Sequence, residues 1–216
     1  MTTAVIFGVT GYAGGMIARE LLSRGHTVIG VARKAPDEAI PGVDYQIGSL
    51  HDTEFATKLI SPSSVVISAV RAAAVASQGA SFADTLASLL PTLKAQGARL
   101  GVVGGAGSLR YPGTDRLRID DPELPEAQRP EAEEQFAALT MLRKVGADVD
   151  WFYVSPPKLF GSYAPGELTG HYRTGTDELV MAADGSSTIS GEDFALAFVD
   201  EIEAPKHPSQ RFTVGY

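Results

Sequence analysis

The heptad Gly8-Val9-Thr10-Gly11-Tyr12-Ala13-Gly14 follows the apolar run Ala4-Val5-Ile6-Phe7 and precedes a segment with Ile17, Leu21 and Leu22 on one helical face. No other stretch constrains the fold as much. A short continuous apolar run ended by glycine suits a strand buried on both faces. The periodic segment predicts a helix from about Gly14 to Ser23, stopped by Gly25. Gly8, Gly11 and Gly14 permit a tight turn and let the backbone approach a pyrophosphate seated on the positive end of that helix. Glycine turns join many strands to helices for purely structural reasons. Strand before, helix after and placement near the N-terminus select the dinucleotide-binding reading.

The rest of the chain continues the alternation. Thr27–Ala32, Val43–Ile47, Ser64–Val70, Arg99–Val103 and Asp150–Val154 read as strands, and Asp52–Ile60 and Glu131–Val145 as helices. Phe82, Leu86, Leu89, Leu90 and Leu93 mark a long amphipathic helix, in which Pro91 predicts a kink. Residues 107–130 hold four prolines without periodicity, a length of loop that is usually functional or disordered. Residues 158–190 read as an irregular lobe with a hairpin near Tyr172–Ala182. Ser190 and Asp193 resemble a capping box that opens a helix to about Glu203, and Arg211–Val214 is a last strand. The expected fold is α/β, a Rossmann-like doubly wound parallel sheet with a small C-terminal lobe. Residues 1–216 form one domain in this reading, and residues 155–190 supply most of a substrate lobe.

Composition narrows the function. Eighteen basic against twenty-six acidic residues leave a net charge of −8. Nucleic acid is not an expected partner, nor is an anionic membrane, because both need clustered positive charge. Absence of cysteine removes thiolate metal sites and thiol nucleophiles, and four histidines leave little for a metal centre. The opening MTTAVIFGVTG carries no basic region ahead of its apolar stretch and reads as a strand, so a cytoplasmic protein, monomer or homodimer, is expected. At the end of the second strand stand Arg33 and Lys34, where a cofactor without a 2'-phosphate usually meets Asp or Glu. An exposed basic pair is common on any surface. Beside the glycine turn, the planar donors of Arg33 favour NADP(H) over NAD(H).

These segments resemble the short-chain dehydrogenase/reductase superfamily in its atypical NAD(P)H-binding branch. The carriers are VIFGVTGYAGG, the spacing to VIGVAR, VVGGAGSL, SPPKLF, RTGTDELV and ISGEDFALAFVDEIE. Within that branch the chain is most similar to NmrA-like proteins and to the NADH-flavin reductases related to biliverdin reductase B. The resemblance implies Thr10, Gly11, Tyr12 and Ala13 at the pyrophosphate and Arg33 at the 2'-phosphate. It further implies Leu50 near adenine, Ala69 and Val70 near the ribose, and Gly104, Gly105 and Ala106 near the nicotinamide. The superfamily's catalytic tyrosine with a lysine four residues later has no counterpart, since none of the seven tyrosines has lysine at that offset. Carbonyl reduction through a tyrosine acid is therefore not expected.

Six of the seventeen aromatics crowd between Trp151 and Tyr172. Pro156, Phe160, Tyr163 and Tyr172 are the expected walls of a flat pocket for a planar acceptor, while Trp151, Phe152 and Tyr153 suit core packing. Ser108 falls roughly where the superfamily's substrate-polarising serine stands and is the candidate catalytic residue. His171 is more simply an exposed loop residue. The expected activity is NADPH-dependent reduction of a flavin, quinone or similar planar small molecule. A non-catalytic NADP(H)-binding redox sensor is the alternative, and a nucleotide-sugar epimerase-like isomerase a further one.

Overall fold

The structure is a computed structural model that describes residues 1–62 and 64–216. In chain order the elements are β1 (Thr3–Phe7), α1 (Tyr12–Ser23), β2 (Thr27–Ala32), β3 (Val43–Ile47), α2 (Thr53–Lys58), β4 (Val65–Ser68), α3 (Ala72–Ala76), α4 (Phe82–Gln96), β5 (Arg99–Val103), α5 (Arg129–Val145), β6 (Trp151–Ser155), β7 (Arg173–Gly175), α6 (Gly191–Glu203) and β8 (Gln210–Gly215). One sheet runs β3-β2-β1-β4-β5-β6-β8-β7. All neighbouring pairs are parallel except β7 with β8. The strand order reverses between β1 and β4, which opens the crevice where such sheets hold ligands.

Two apolar layers cover the sheet. Trp151 and Tyr153 point into the layer that includes Leu86, Leu89 and Leu93 of α4 and Leu139 and Leu142 of α5. Phe152 and Val154 point the other way, against Ile17 and Leu21 of α1 and Phe194 and Phe198 of α6. The alternation is the period of two that a strand imposes. Each such large side chain withdrawn from water contributes about 1.5–3 kcal/mol. Core packing is thus the role of Trp151, Phe152 and Tyr153, all 1% exposed or less.

The expected fold class holds, with local corrections. α4 includes Pro91, which is exposed, so solvent can take the carbonyl that the missing N–H leaves free. α3 has no counterpart in the sequence reading, because five residues rich in alanine carry no apolar period. The expected hairpin at Tyr172–Ala182 does not form: β7 pairs antiparallel with β8, as Arg173 with Gly215 and Gly175 with Thr213. The proline-rich stretch 107–130 folds back on itself through two short 3-10 turns, Arg118–Asp120 and Glu126–Gln128. Backbone bonds from Arg118 N–H to the Leu109 carbonyl (2.8 Å) and Ile119 N–H to the Gly107 carbonyl (2.9 Å) hold it there.

Candidate functional site

The turn after β1 is built around one close approach. Gly8 has φ +86°, and a Cβ on it would lie 2.6 Å from the Ala69 carbonyl oxygen after β4. Only glycine takes that conformation and that gap without cost. A Cβ on Gly14 would come within 2.3 Å of the Gly8 carbonyl oxygen, so Gly14 seats α1 against the turn. Gly14 is not among the residues that line the cleft described below. Its role is helix packing. Gly11 is the N-cap of α1 and offers no side-chain cap, which leaves the first amides of the helix, at Tyr12 and Ala13, without an acceptor inside it.

Above this turn a cleft follows the C-terminal ends of the parallel strands. Gly11 lines all three of its parts, and Thr10 two of them. On one side lie Arg33 and Lys34 after β2, with Arg19 of α1. Arg33 is exposed and has no ion-pair partner among the described residues, whereas Lys34 stands 4.0 Å from Asp37. Leu50, Ala69 and Val70 wall the middle, Leu50 being 2% exposed. On the far side Gly104, Gly105 and Ala106 face Pro156, Phe160 and Tyr163 across a cavity of about 570 Å³. That size is ordinary for a small-molecule pocket. Phe160 also packs on Phe194 (4.4 Å between centroids) and edge-on to Tyr12 (5.5 Å).

Two expected residues lie elsewhere. Ser108 is 8% exposed and outside the cavity lining, because the turn from Ala106 to Leu109 directs it to β8, where its Oγ accepts from Arg211 Nη1 at 3.2 Å. Its hydroxyl is engaged by Arg211 of β8. Tyr172 is likewise outside the cavity; its hydroxyl donates to Asp200 at 2.6 Å. Burial, and then the Asp200 bond, push that phenol above its usual range. His171 is exposed, as expected. Tyr153 lies directly beneath the cavity floor: it accepts from Gly105 N–H (3.0 Å) and donates to Gln135 Oε1 (2.9 Å). Burial raises its pKa far beyond that of a free phenol. A Cβ on Gly104 would fall inside the Tyr153 ring, 1.9 Å from the nearest carbon, so the bare backbone there is what admits the ring.

Sequence reasoning missed several polar groups that also line the cavity: Arg71, Arg118, Glu131, Gln135 and Lys158. Glu131 accepts from the Ala72 (2.9 Å) and Ala73 (3.0 Å) amides at the start of α3, and from Gln135 (3.2 Å). Its position early in α5 was visible. Its target was not, since α3 itself was unread.

A doubly wound sheet with a glycine turn at its crossover and a cleft along its strand ends defines a dinucleotide-binding α/β protein. The chain belongs to the family whose model is described as NAD(P)H-binding and matches residues 8–205. It is 35% identical over 211 residues to the uncharacterized protein YwnB of Bacillus subtilis, covering 97% of this chain and 96% of that protein. Among solved structures, a candidate NADH-flavin reductase from Streptococcus pneumoniae superposes with TM-score 0.81 and 29% identity, covering 100% of this chain and 99% of the other. A candidate epimerase from Bacteroides thetaiotaomicron superposes with TM-score 0.85 and 30% identity, covering 100% and 97%. The residues present fit a nicotinamide cofactor. The uncapped α1 N-terminus suits a pyrophosphate, and Gly8 keeps the turn clear of Ala69.

Proposed function

We propose that this protein is an NADPH-dependent reductase of a flavin, quinone or other planar acceptor. One observation carries the reading: three pockets that share Gly11 adjoin one another from the Arg33 guanidinium, unpaired among the described residues, to the cavity walled by Pro156, Phe160 and Tyr163. In it Tyr12 and Ala13 amides hold the pyrophosphate, Arg33 reads the 2'-phosphate, and Leu50, Ala69 and Val70 wall the adenosine half. Gly104, Gly105 and Ala106 form a flat floor for the nicotinamide. When bound, the reduced nicotinamide supplies a hydride equivalent to the acceptor. The chain orients the two flat rings, excludes water with its aromatic wall, and supplies no proton from Tyr153 or Ser108. The similarity to a candidate flavin reductase supports an oxidoreductase role of this kind.

Steady-state NADPH oxidation with flavins and quinones tests it. Turnover is expected with these acceptors, and simple ketones should be poor substrates because an unpolarised carbonyl needs the missing acid. No turnover with any acceptor, despite tight NADPH binding, favours the second reading, a redox-sensing NADP(H) binder. That reading draws on the same occupied hydroxyls of Ser108 and Tyr153. In both readings the protein is a single domain, residues 155–190 forming its substrate lobe.

A further inference from the structure

The far cavity carries charge that the reaction described above does not use. Arg71, Arg118 and Lys158 line it, against Glu131 as the one carboxylate among the described lining residues. The surplus is positive in a chain whose net charge is −8. Glu131 is already engaged by two α3 amides and Gln135.

Arg118 is the unusual member. Its residue is 7% exposed, yet its guanidinium makes no hydrogen bond among the described residues, and Nη1 is fully buried with an ion pair to Asp121 as its one polar contact there. Asp121 Oδ2 lies 3.2 Å from Nη1 as an ion pair, but that carboxylate already accepts from the Tyr111 hydroxyl and the Glu123 amide. Guanidinium has five donors in a planar fork, and leaving them unmatched when buried is costly. Arg99 shows what the fold does with a structural arginine. At 7% exposure it is bonded to Asp150, to the Glu201 carbonyl and to the Glu201 carboxylate. Arg118 lines the cavity with no such set of bonds among the described residues.

We propose that Arg118 binds an anionic substituent of the acceptor, a carboxylate or a phosphate, with Lys158 and Arg71 adding to the field. The proposal rests on the reductase reading of this cavity and narrows it to planar acceptors with an acidic side group. The phosphate and carboxylate forms share one chemistry, two anionic oxygens matched to a guanidinium fork.

The test is equilibrium binding to the NADP⁺-loaded protein, in which no turnover occurs. FMN is compared with riboflavin by flavin fluorescence quenching, and anthraquinone-2-carboxylate with its methyl ester by competition. At least tenfold tighter binding of the anion is expected in one pair or both, and which pair shows it identifies the acidic group. Arg118→Gln should remove the preference, and Arg118→Lys should keep part of it. Equal binding within both pairs overturns the proposal, as does a preference that survives in folded Arg118→Gln. If Arg118→Gln does not fold, the wild-type pairs and Arg118→Lys still decide. A clear anion preference without NADPH oxidation by any of these probes removes the reductase reading and leaves the anion site standing. Turnover without preference does the reverse.

Discussion

Arg33 and Lys34 are neighbours in sequence with different surroundings: Lys34 has Asp37 at 4.0 Å, whereas Arg33, at the cleft, has no ion-pair partner among the described residues. Arg33→Asp should weaken NADPH by on the order of 2 kcal/mol, about thirtyfold, because a charge-assisted pair becomes a repulsion. NADH should change far less. A titration in which both cofactors lose equally would show that Arg33 does not read the phosphate. Tyr153 is the opposite case, a fully buried tyrosine whose hydroxyl is engaged by Gly105 and Gln135. Tyr153→Phe leaves the Gly105 amide and Gln135 Oε1 without their partner and should cost about 1–3 kcal/mol of stability. Thermal melting should report that loss, while the pH profile of NADPH oxidation stays in place; a lost acidic or basic limb would mean that the phenol takes part.

At the scale of elements, the glycine turn and α1 work as one unit. Gly14→Ala should destabilise the protein without ligand by about 1–3 kcal/mol, because the new methyl meets the Gly8 carbonyl, which is backbone and cannot turn aside. An unchanged melt of the cofactor-free protein would contradict this packing role. The start of α6 carries a pH-dependent contact. Asp193 is fully buried and accepts from Thr169 N–H and Oγ1, the Gly170 amide, Tyr216 and Ser190. Burial works to raise its pKa, but bonds from Tyr216, Thr169 and Gly170 outweigh that and hold it below the usual range. Its contribution is therefore complete above the unfolded value of about 3.9 and lost as pH falls through the lower folded value. Asp193→Asn should flatten the acid limb of a stability-against-pH curve, and an acid limb unaltered in that variant would exclude the role. Elements with their own period or punctuation were legible: β1, α1, β5 and the Ser190 cap all lie where local residues place them. The pairing of β7 with β8 was not, since it depends on partners about forty residues apart. The same reason hid Ser108 from view, because its neighbour Arg211 comes a hundred residues later, and hid Arg118 within a stretch that shows no period at all.

On the scale of the whole molecule, the cleft draws on segments from residue 7 to residue 163, so occupancy should be felt by the entire sheet. NADPH at a hundred times its dissociation constant should add about 2.7 kcal/mol to stability. For a chain of 216 residues that is a rise in melting temperature of roughly 5–11 °C. NADH at the same concentration should give a smaller rise, and no rise with either cofactor would count against the cleft as their site. The placement of β8 has a consequence for how the molecule is made. It follows β7 and α6 in the chain, yet it lies between β6 and β7 and carries the Arg211 that holds Ser108 and Ser155. The half that includes β1, β2 and the glycine turn can assemble early in synthesis. The half beyond β6 must wait, with β7 emerged and nothing to pair with, until residues 210–215 arrive. Deleting residues 210–215 would remove an interior strand and leave β7 without its partner.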